Sequence, residues 1–280
     1  MVYKFVIFIS VILVISTILI IYALLQEHKI NNAREKINKL KRNKQVKDDL
    51  KNFPKYFINL DRSPERLKNI ETEFENYSIK NYKRIKAFDG KDIDDRREGT
   101  VDNCKYINED KNCSAAELAI TMSHLKAIKT AYDDGHENAM IMEDDVEFTL
   151  APYWGKSITE IVEEIPEDCD IFLLAIRNTE RDNNYKIAEV KGDCTGVCYI
   201  VTKLGMEKIV KKYIPENEYI LKQENIILDY GLMKNFKVYS YNQTLFILEN
   251  LKTFSTHYNY LEYLFNLNYV SETHRILDTY

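Results

Sequence analysis

Glu143, Asp144 and Asp145 follow directly on the apolar run Asn138-Ala-Met-Ile-Met142. Three carboxylates at the end of a buried segment repel one another, and burying them is costly unless a cation or hydrogen-bond donors compensate. A hard divalent cation, Mn2+ or Mg2+, suits oxygen ligands of this kind and also grips a diphosphate. On an extended backbone Glu143 and Asp145 share a face, which makes that pair the metal candidates and leaves Asp144 a supporting place on the ligand side. The alternative is a solvated acidic turn opening the next element, and spacing alone does not choose between them. The sequence has no P-loop and no His-rich metal set, which weighs against a metal-dependent phosphotransferase or hydrolase.

The elements around this cluster alternate. Lys55 to Leu60 reads as a short buried strand after Pro54. Ser63 then precedes a helix that starts at Pro64 and carries Arg66, Leu67, Ile70 and Phe74. Arg84 to Phe88 reads as a second strand closed by the turn Asp89-Gly90, and residues 91–112 as a charged surface loop. Ser114 and Glu117 form a capping box for a helix with the stripe Leu118, Met122, Leu125, Ile128 and Ala131, ending near Gly135. The strand 138–142 follows, with the acidic cluster at its C-terminal end, where open α/β sheets bind ligands. Asp170 to Leu174, Val197 to Val201 and Phe236 to Tyr239 are further strand candidates, and Leu204 to Tyr213 a helix. Strand and helix in alternation predict an α/β domain with a mostly parallel central sheet.

Four stretches carry a resemblance: Tyr56-Phe-Ile-Asn-Leu-Asp-Arg-Ser-Pro-Glu-Arg66, Ala87-Phe-Asp-Gly90, Ser123-His124 and Ile141-Met-Glu-Asp-Asp145. In that order and at those distances they resemble glycosyltransferase family 25, which includes lipooligosaccharide and collagen galactosyltransferases. The likeness runs from about Phe53 to Val146 and weakly through Thr195 to Tyr199 and Leu228-Asp229. It implies a GT-A-like nucleotide-sugar-binding fold and a nucleotide-sugar donor, often a UDP-sugar, with transfer by inversion. It also implies that Asn59 and Arg62 sit at the nucleotide end of the first strand, that Arg66 meets phosphate or a carboxylate, and that Asp89 and Gly90 form a turn near the nucleoside. Ser123 and His124 would face donor or acceptor, Glu143 to Asp145 the cation and diphosphate, and Asp229 the acceptor hydroxyl as base. Around Glu117 the family's small-residue pattern is replaced by Cys113-Ser-Ala-Ala-Glu-Leu-Ala. Each residue also has a plainer role available: His124 as a satisfied core histidine, Arg62 and Arg66 as surface partners of Asp61 and Glu65, Glu117 as a cap, Asp229 as a turn residue.

Ahead of this region, Phe5 to Leu25 is apolar apart from Ser10, Ser16, Thr17 and Tyr22. At about 1.5 Å per residue it spans about 30 Å, one hydrocarbon core. Its length and the charged Gln26-Glu27-His28-Lys29 that follows favour an uncleaved anchor over a signal peptide. The expected organisation is therefore a transmembrane anchor over 1–26, a basic helical stalk over 27–52 and a transferase domain over 53–280. Lys and Arg flank the anchor mainly on its C-terminal side, which places the domain in the cytosol by the positive-inside rule, whereas sequons at Asn76, Asn112 and Asn242 allow a luminal domain. A net charge of −5 argues against a nucleic-acid binder, which would need a basic face to neutralise phosphates. None of the 5 cysteines forms a CxxC pair or a zinc-spaced cluster; Cys104 and Cys113 suit either a loop disulfide or free thiols. The predicted function is metal-assisted transfer of galactose or a similar hexose from a nucleotide diphosphate to a glycan or protein hydroxyl. A catalytically silent, membrane-tethered sugar-binding relative is the alternative from another class.

Overall fold

The computed structural model describes residues 47–248, apart from 94–97, 103, 109–113, 149–150, 152–153, 155, 177–184, 191–195, 222–234 and 243–244. The apolar segment Phe5–Leu25 and most of the stalk lie outside the described residues, as do Cys113, Cys194 and Asp229. Among the described residues no helix is long and apolar enough to cross a membrane.

The elements run in chain order as α1 (Asp48–Asn52), β1 (Lys55–Asn59), α2 (Pro64–Asn76), β2 (Tyr82–Lys86), β3 (Glu98–Val101), β4 (Cys104–Asn108), α3 (Ala115–Asp133), β5 (Asn138–Glu143) and β6 (Val146–Glu147). The second half adds α4 (Ile158–Glu164), β7 (Ile171–Leu173), β8 (Ile187–Glu189), β9 (Cys198–Thr202), α5 (Lys203–Tyr213), β10 (Tyr219–Leu221), β11 (Val238–Tyr241) and β12 (Ile247–Leu248). A seven-stranded sheet takes the order β2-β1-β5-β9-β7-β11-β8. Strands β2, β1, β5, β7 and β11 point one way, while β9 and β8 run against them.

The strands read as unbroken apolar runs because both faces of the sheet are covered. Their period of two sorts the side chains into two cores. Tyr56, Ile58, Ala139, Ile141, Tyr199 and Val201 pack with Leu118, Met122 and Leu125 of α3 and Met206 and Ile209 of α5. Phe57, Met140, Met142, Cys198 and Ile200 pack with Ile70 and Phe74 of α2 and Ile158 and Ile161 of α4 on the other face. The mixed α/β architecture with a largely parallel sheet is the one the alternation of elements predicts.

The helix α3 is built as its sequence dictates. Ser114 Oγ accepts the Glu117 N–H and the Glu117 carboxylate accepts the Ser114 N–H, closing the capping box. Gly135, at φ +79°, turns the chain out of the helix into β5. Helix α2 begins at Pro64 as expected, but the Ser63 side chain makes no capping bond.

Three features differ from the sequence expectation. Residues 98–108, read as part of an irregular loop, form the hairpin β3–β4, which joins β10 in a second, three-stranded sheet. These strands are short and polar, and their third partner lies more than a hundred residues on, so no local pattern announces them. The strand at Val197–Val201 exists one residue later and runs antiparallel, between β5 and β7. The last residues of the expected stalk are α1, whose Leu50 is buried in the core around Phe57. Cys104, Cys169 and Cys198 are free thiols.

Candidate functional site

The C-terminal ends of β1, β2 and β5 lie side by side, because β1 pairs in parallel with both of the others. This register brings Asn59, Arg84 and the acidic cluster together at one edge of the sheet. The Asn59 side-chain amide sits between them. Its Nδ2 donates to Asp144 Oδ2 at 2.6 Å and to the Ser63 carbonyl at 3.3 Å, while its Oδ1 accepts from Arg84 Nε at 3.1 Å and Nη2 at 2.8 Å. Asn59 is 1% exposed, so its polar atoms are consumed by protein.

Arg66, in the first turns of α2, closes the arrangement from the side. One of its nitrogens, Nη2, lies 2.5 Å from Asp144 Oδ1 and 2.8 Å from Asp145 Oδ2. Asp144 is thus held on both oxygens. Asp145 is held on one; its Oδ1 is buried and has no hydrogen-bond partner. A buried carboxylate oxygen without a partner is a feature native structures rarely leave unexplained.

Glu143 stands apart from this clamp. Its Oε1 is 3.8 Å from His124 Nε2, too long for a direct hydrogen bond but close enough for charge attraction. On the other side of the imidazole, Nδ1 lies 3.0 Å from the Tyr199 hydroxyl. The Tyr199 ring, paired across the sheet with Ile141, stacks beside the imidazole. The hydrogen bond between the Tyr199 hydroxyl and His124 Nδ1 holds the buried ring in place. Glu143 is deeply surrounded by protein, yet its side chain is 34% exposed, as expected for a group lining a concavity.

The electrostatics separate the three carboxylates. Burial by itself raises the Glu143 carboxyl, but attraction to His124 and Arg66 prevails and holds it below the usual carboxylate range. Burial raises Asp144, against the pull of Arg66 and the Asn59 amide. Asp145 is pushed up to about 7 by burial and by the negative charge of Glu143, with Arg66 opposing. The cluster thus favours the anion at Glu143 and disfavours it at Asp144 and Asp145.

The other candidates fall into two sets. Ser123 Oγ accepts the Phe88 N–H at 2.9 Å and donates to the Ala119 carbonyl at 2.6 Å, so it ties the loop after β2 to α3. His124 is 1% exposed, with Nδ1 on the Tyr199 hydroxyl and Nε2 turned toward Glu143. Arg62 Nε donates to Asp89 Oδ2 at 2.5 Å, and Asp89 Oδ1 accepts the Lys91 N–H at 3.0 Å, which fixes the turn at Gly90. A Cβ on Gly90 would lie 2.9 Å from Ala116 Cα, so glycine is required there by the close approach of the α3 N-terminus. Asp229 lies outside the described residues. Among the described residues no group of three His, Cys, Asp or Glu side chains is arranged to hold a metal ion.

The sequence model of glycosyltransferase family 25 (LPS biosynthesis protein) matches residues 52–194, just over half of the chain and nearly the whole of the geometry above. The chain belongs to glycosyltransferase family 25. No curated protein matches it. Membership supports glycosyl transfer as the function of this domain, and the residues at the ends of β1, β2 and β5 lie within the matched segment.

Sequence reasoning missed Arg84 and Tyr199 as members of the site. Arg84 lay inside a strand segment and its bond partners are set by the β1–β2 register. Tyr199 was visible only as the end of the weakly matching stretch Thr195–Tyr199.

Proposed function

We propose that this family 25 transferase moves a hexosyl group, galactose or one similar to it, from a nucleotide diphosphate sugar, with a UDP-sugar as the first candidate, to a hydroxyl of a glycan or protein acceptor. One observation carries the reading: Asp145 Oδ1, a buried oxygen with no protein partner, beside the accessible Glu143 carboxylate at the C-terminal edge of parallel strands. Ligands of open α/β sheets bind at that edge.

The residues fit a divalent cation such as Mn2+ or Mg2+. Glu143 and Asp145 offer oxygen only, and two carboxylates are what such ions take from a protein when substrate phosphates and water complete the shell. A bound cation supplies positive charge against the departing diphosphate. The chain's own part is to hold these groups still. His124 and Tyr199 orient Glu143; Asn59 and Arg66 fix Asp144; and Arg66, 42% exposed, is a charge that a phosphate oxygen can share. Arg62, Asp89 and Gly90 form a rigid turn at the same sheet edge, suited to the nucleoside. Asp229 remains the proposed base for the acceptor hydroxyl. The apolar segment Phe5–Leu25 would anchor the domain to a membrane, and an endoglycosidase shift on the expressed protein reads which side it faces.

The test is release of nucleoside diphosphate from a panel of UDP- and GDP-sugars, with Mn2+ and with chelator, using folded full-length protein and a mixed acceptor set. Turnover of a UDP-hexose that needs the cation is the expected result. No turnover of any donor overturns the assignment of an active transferase, and turnover that survives chelator and Asp145→Ala overturns the cation's role.

A further inference from the structure

Arg84 lies on β2, the edge strand of the main sheet, where Tyr82, Lys83, Arg84 and Lys86 are exposed and Ile85 is buried. Charged residues on an edge strand ordinarily serve to keep it from pairing with other chains. Arg84 does something more specific. Its Nε and Nη2 both donate to Asn59 Oδ1, and Nη2 also donates to Asp61 Oδ1 at 2.7 Å. Asp61 in turn receives Lys86, which pins it in place.

The consequence lies in the polarity of the amide. A side-chain amide has a donor end and an acceptor end, and left to itself Asn59 could turn either toward β5. An arginine only donates. Arg84 therefore forces the Asn59 oxygen toward β2 and its NH2 toward Asp144. With Oδ2 of Asp144 engaged, its Oδ1 faces Arg66, and Arg66 draws in Oδ2 of Asp145 by the same nitrogen. What is left over is Asp145 Oδ1, the one oxygen of the pair without a partner. Arg84, the Asn59 NH2 and Arg66 donate, while the Asn59 oxygen, both Asp144 oxygens and Asp145 Oδ2 accept, in one connected set of contacts from Arg84 to Asp145.

We infer that Arg84 is a positioning residue for the donor site: it sets the orientation of the Asn59 amide, and through Asp144 and Arg66 it leaves Asp145 Oδ1 free to meet a ligand. This rests on the reading of the site as the place of the cation and diphosphate. It also makes Asp144, the middle acid of the cluster, a link in the chain of polarity and not a ligand.

The experiment reads the chain at both ends, in the full-length protein. Outer partners of metal-binding carboxylates typically contribute about 10–100-fold to affinity or activity. Arg84→Met is expected to weaken binding of UDP with Mn2+ by about tenfold and to raise the donor KM, with the acceptor KM unchanged. Arg84→Lys, which cannot make the forked contact, is expected to fall between, and it replaces Arg84→Met should that variant not fold. Asn59→Asp sets two carboxylates against each other and is expected to abolish UDP–Mn2+ binding. Asn59→Asp combined with Asp144→Asn restores the match of donor to acceptor with the charges exchanged, and is expected to recover binding to within about tenfold of wild type, the same outer-partner scale. A double variant no better than Asn59→Asp, or Arg84 variants with wild-type affinity and donor KM, overturns the inference. If the wild type itself binds no UDP with Mn2+, the donor reading fails, and the inference is then decided by a crystal structure of Arg84→Met: a turned Asn59 amide with a displaced Asp145 carboxylate supports it, and unmoved side chains overturn it.

Discussion

Replacing Asp145 by Asn removes one negative charge from the site and keeps the shape of the side chain, including an oxygen able to accept from Arg66. In the ligand-free protein this variant is expected to be more stable than wild type at neutral pH. The carboxyl rises from 3.8 to about 7 on folding, chiefly through burial and the neighbouring Glu143. Between those values the folded state holds a proton that the unfolded state has lost. Stability of the wild type therefore falls as pH rises through that window, by about 1.4 kcal/mol per unit, and levels off above it. The full shift corresponds to a ceiling of about 4 kcal/mol. Solvent contact discounts that figure, since the Asp145 side chain is 22% exposed. Of the advantage that Asp145→Asn confers at pH 8, about 2–3 kcal/mol should vanish by pH 5, because two of the units lie between pH 5 and 7. For a domain of this size that is about 5–10 °C in melting temperature. The assay is thermal unfolding of both proteins in chelator from pH 5 to pH 8. Carboxylates away from the cluster titrate alike in the two and cancel in the difference; Glu143 and Asp144, which interact with the Asp145 charge, add their own smaller change to it. Added Mn2+ is expected to stabilise the wild type and leave the variant unmoved. A variant destabilised by the same amount at every pH would refute the claim that Asp145 is strained by its neighbours.

Three further outcomes follow from single contacts. Gly90→Val drives a side chain into the backbone of Ala115 and Ala116 and is expected to cost about 1–3 kcal/mol in chemical denaturation, more than Gly90→Ala. Tyr199→Phe leaves the buried His124 Nδ1 without its hydroxyl, and is expected to cost about 1–3 kcal/mol of stability and to lower kcat, while UDP binding changes less. Lys55, buried on β1 with its ammonium donating to the Leu50 and Phe53 carbonyls, is lowered to about 7 by burial, so the wild type should gain stability from pH 7 to pH 9 and a Lys55→Met variant should not.

How far the sequence speaks depends on the range of the interaction. The capping box at Ser114–Glu117, the stripe of α3 and the glycine that ends it are local, and they are found where their spacing puts them. The buried strands β1 and β5 were legible from their apolar runs, and the parallel sheet from the alternation of elements. The hairpin β3–β4 was not, because its stability comes from β10 and from Tyr106 and Val101 packing against a distant core. The site divides in the same way. The acidic cluster, Asn59, Arg66, Ser123 and His124 were visible as residues, but their division of labour was not. Which of them touches a ligand and which touches another side chain is decided by the β1–β5 and β5–β9 registers, and a register is a relation between segments that no single segment contains.

That division has a physical reason. Three adjacent carboxylates cannot all be offered to a ligand from a site this deep, because each raises the cost of ionising the next. The protein uses one of them internally. Asp144, the least exposed of the three, receives Asn59 and Arg66, and the same Arg66 offsets part of the charge of Asp145. Glu143 is kept ionised chiefly from the opposite side, by His124, whose Nδ1 meets Tyr199, with Arg66 adding a smaller pull. Two carboxylates are thus supported by separate networks, one from β1, β2 and α2, the other from α3 and β9. The two networks share no hydrogen bond, though Arg66 acts on both acids through its charge, so Tyr199→Phe and Arg84→Met should combine nearly additively in their effect on UDP–Mn2+ affinity. Strong coupling between them would mean that the two halves of the site move as one body, and that the separation seen between Glu143 and Asp145 has no bearing on how the ligand is held.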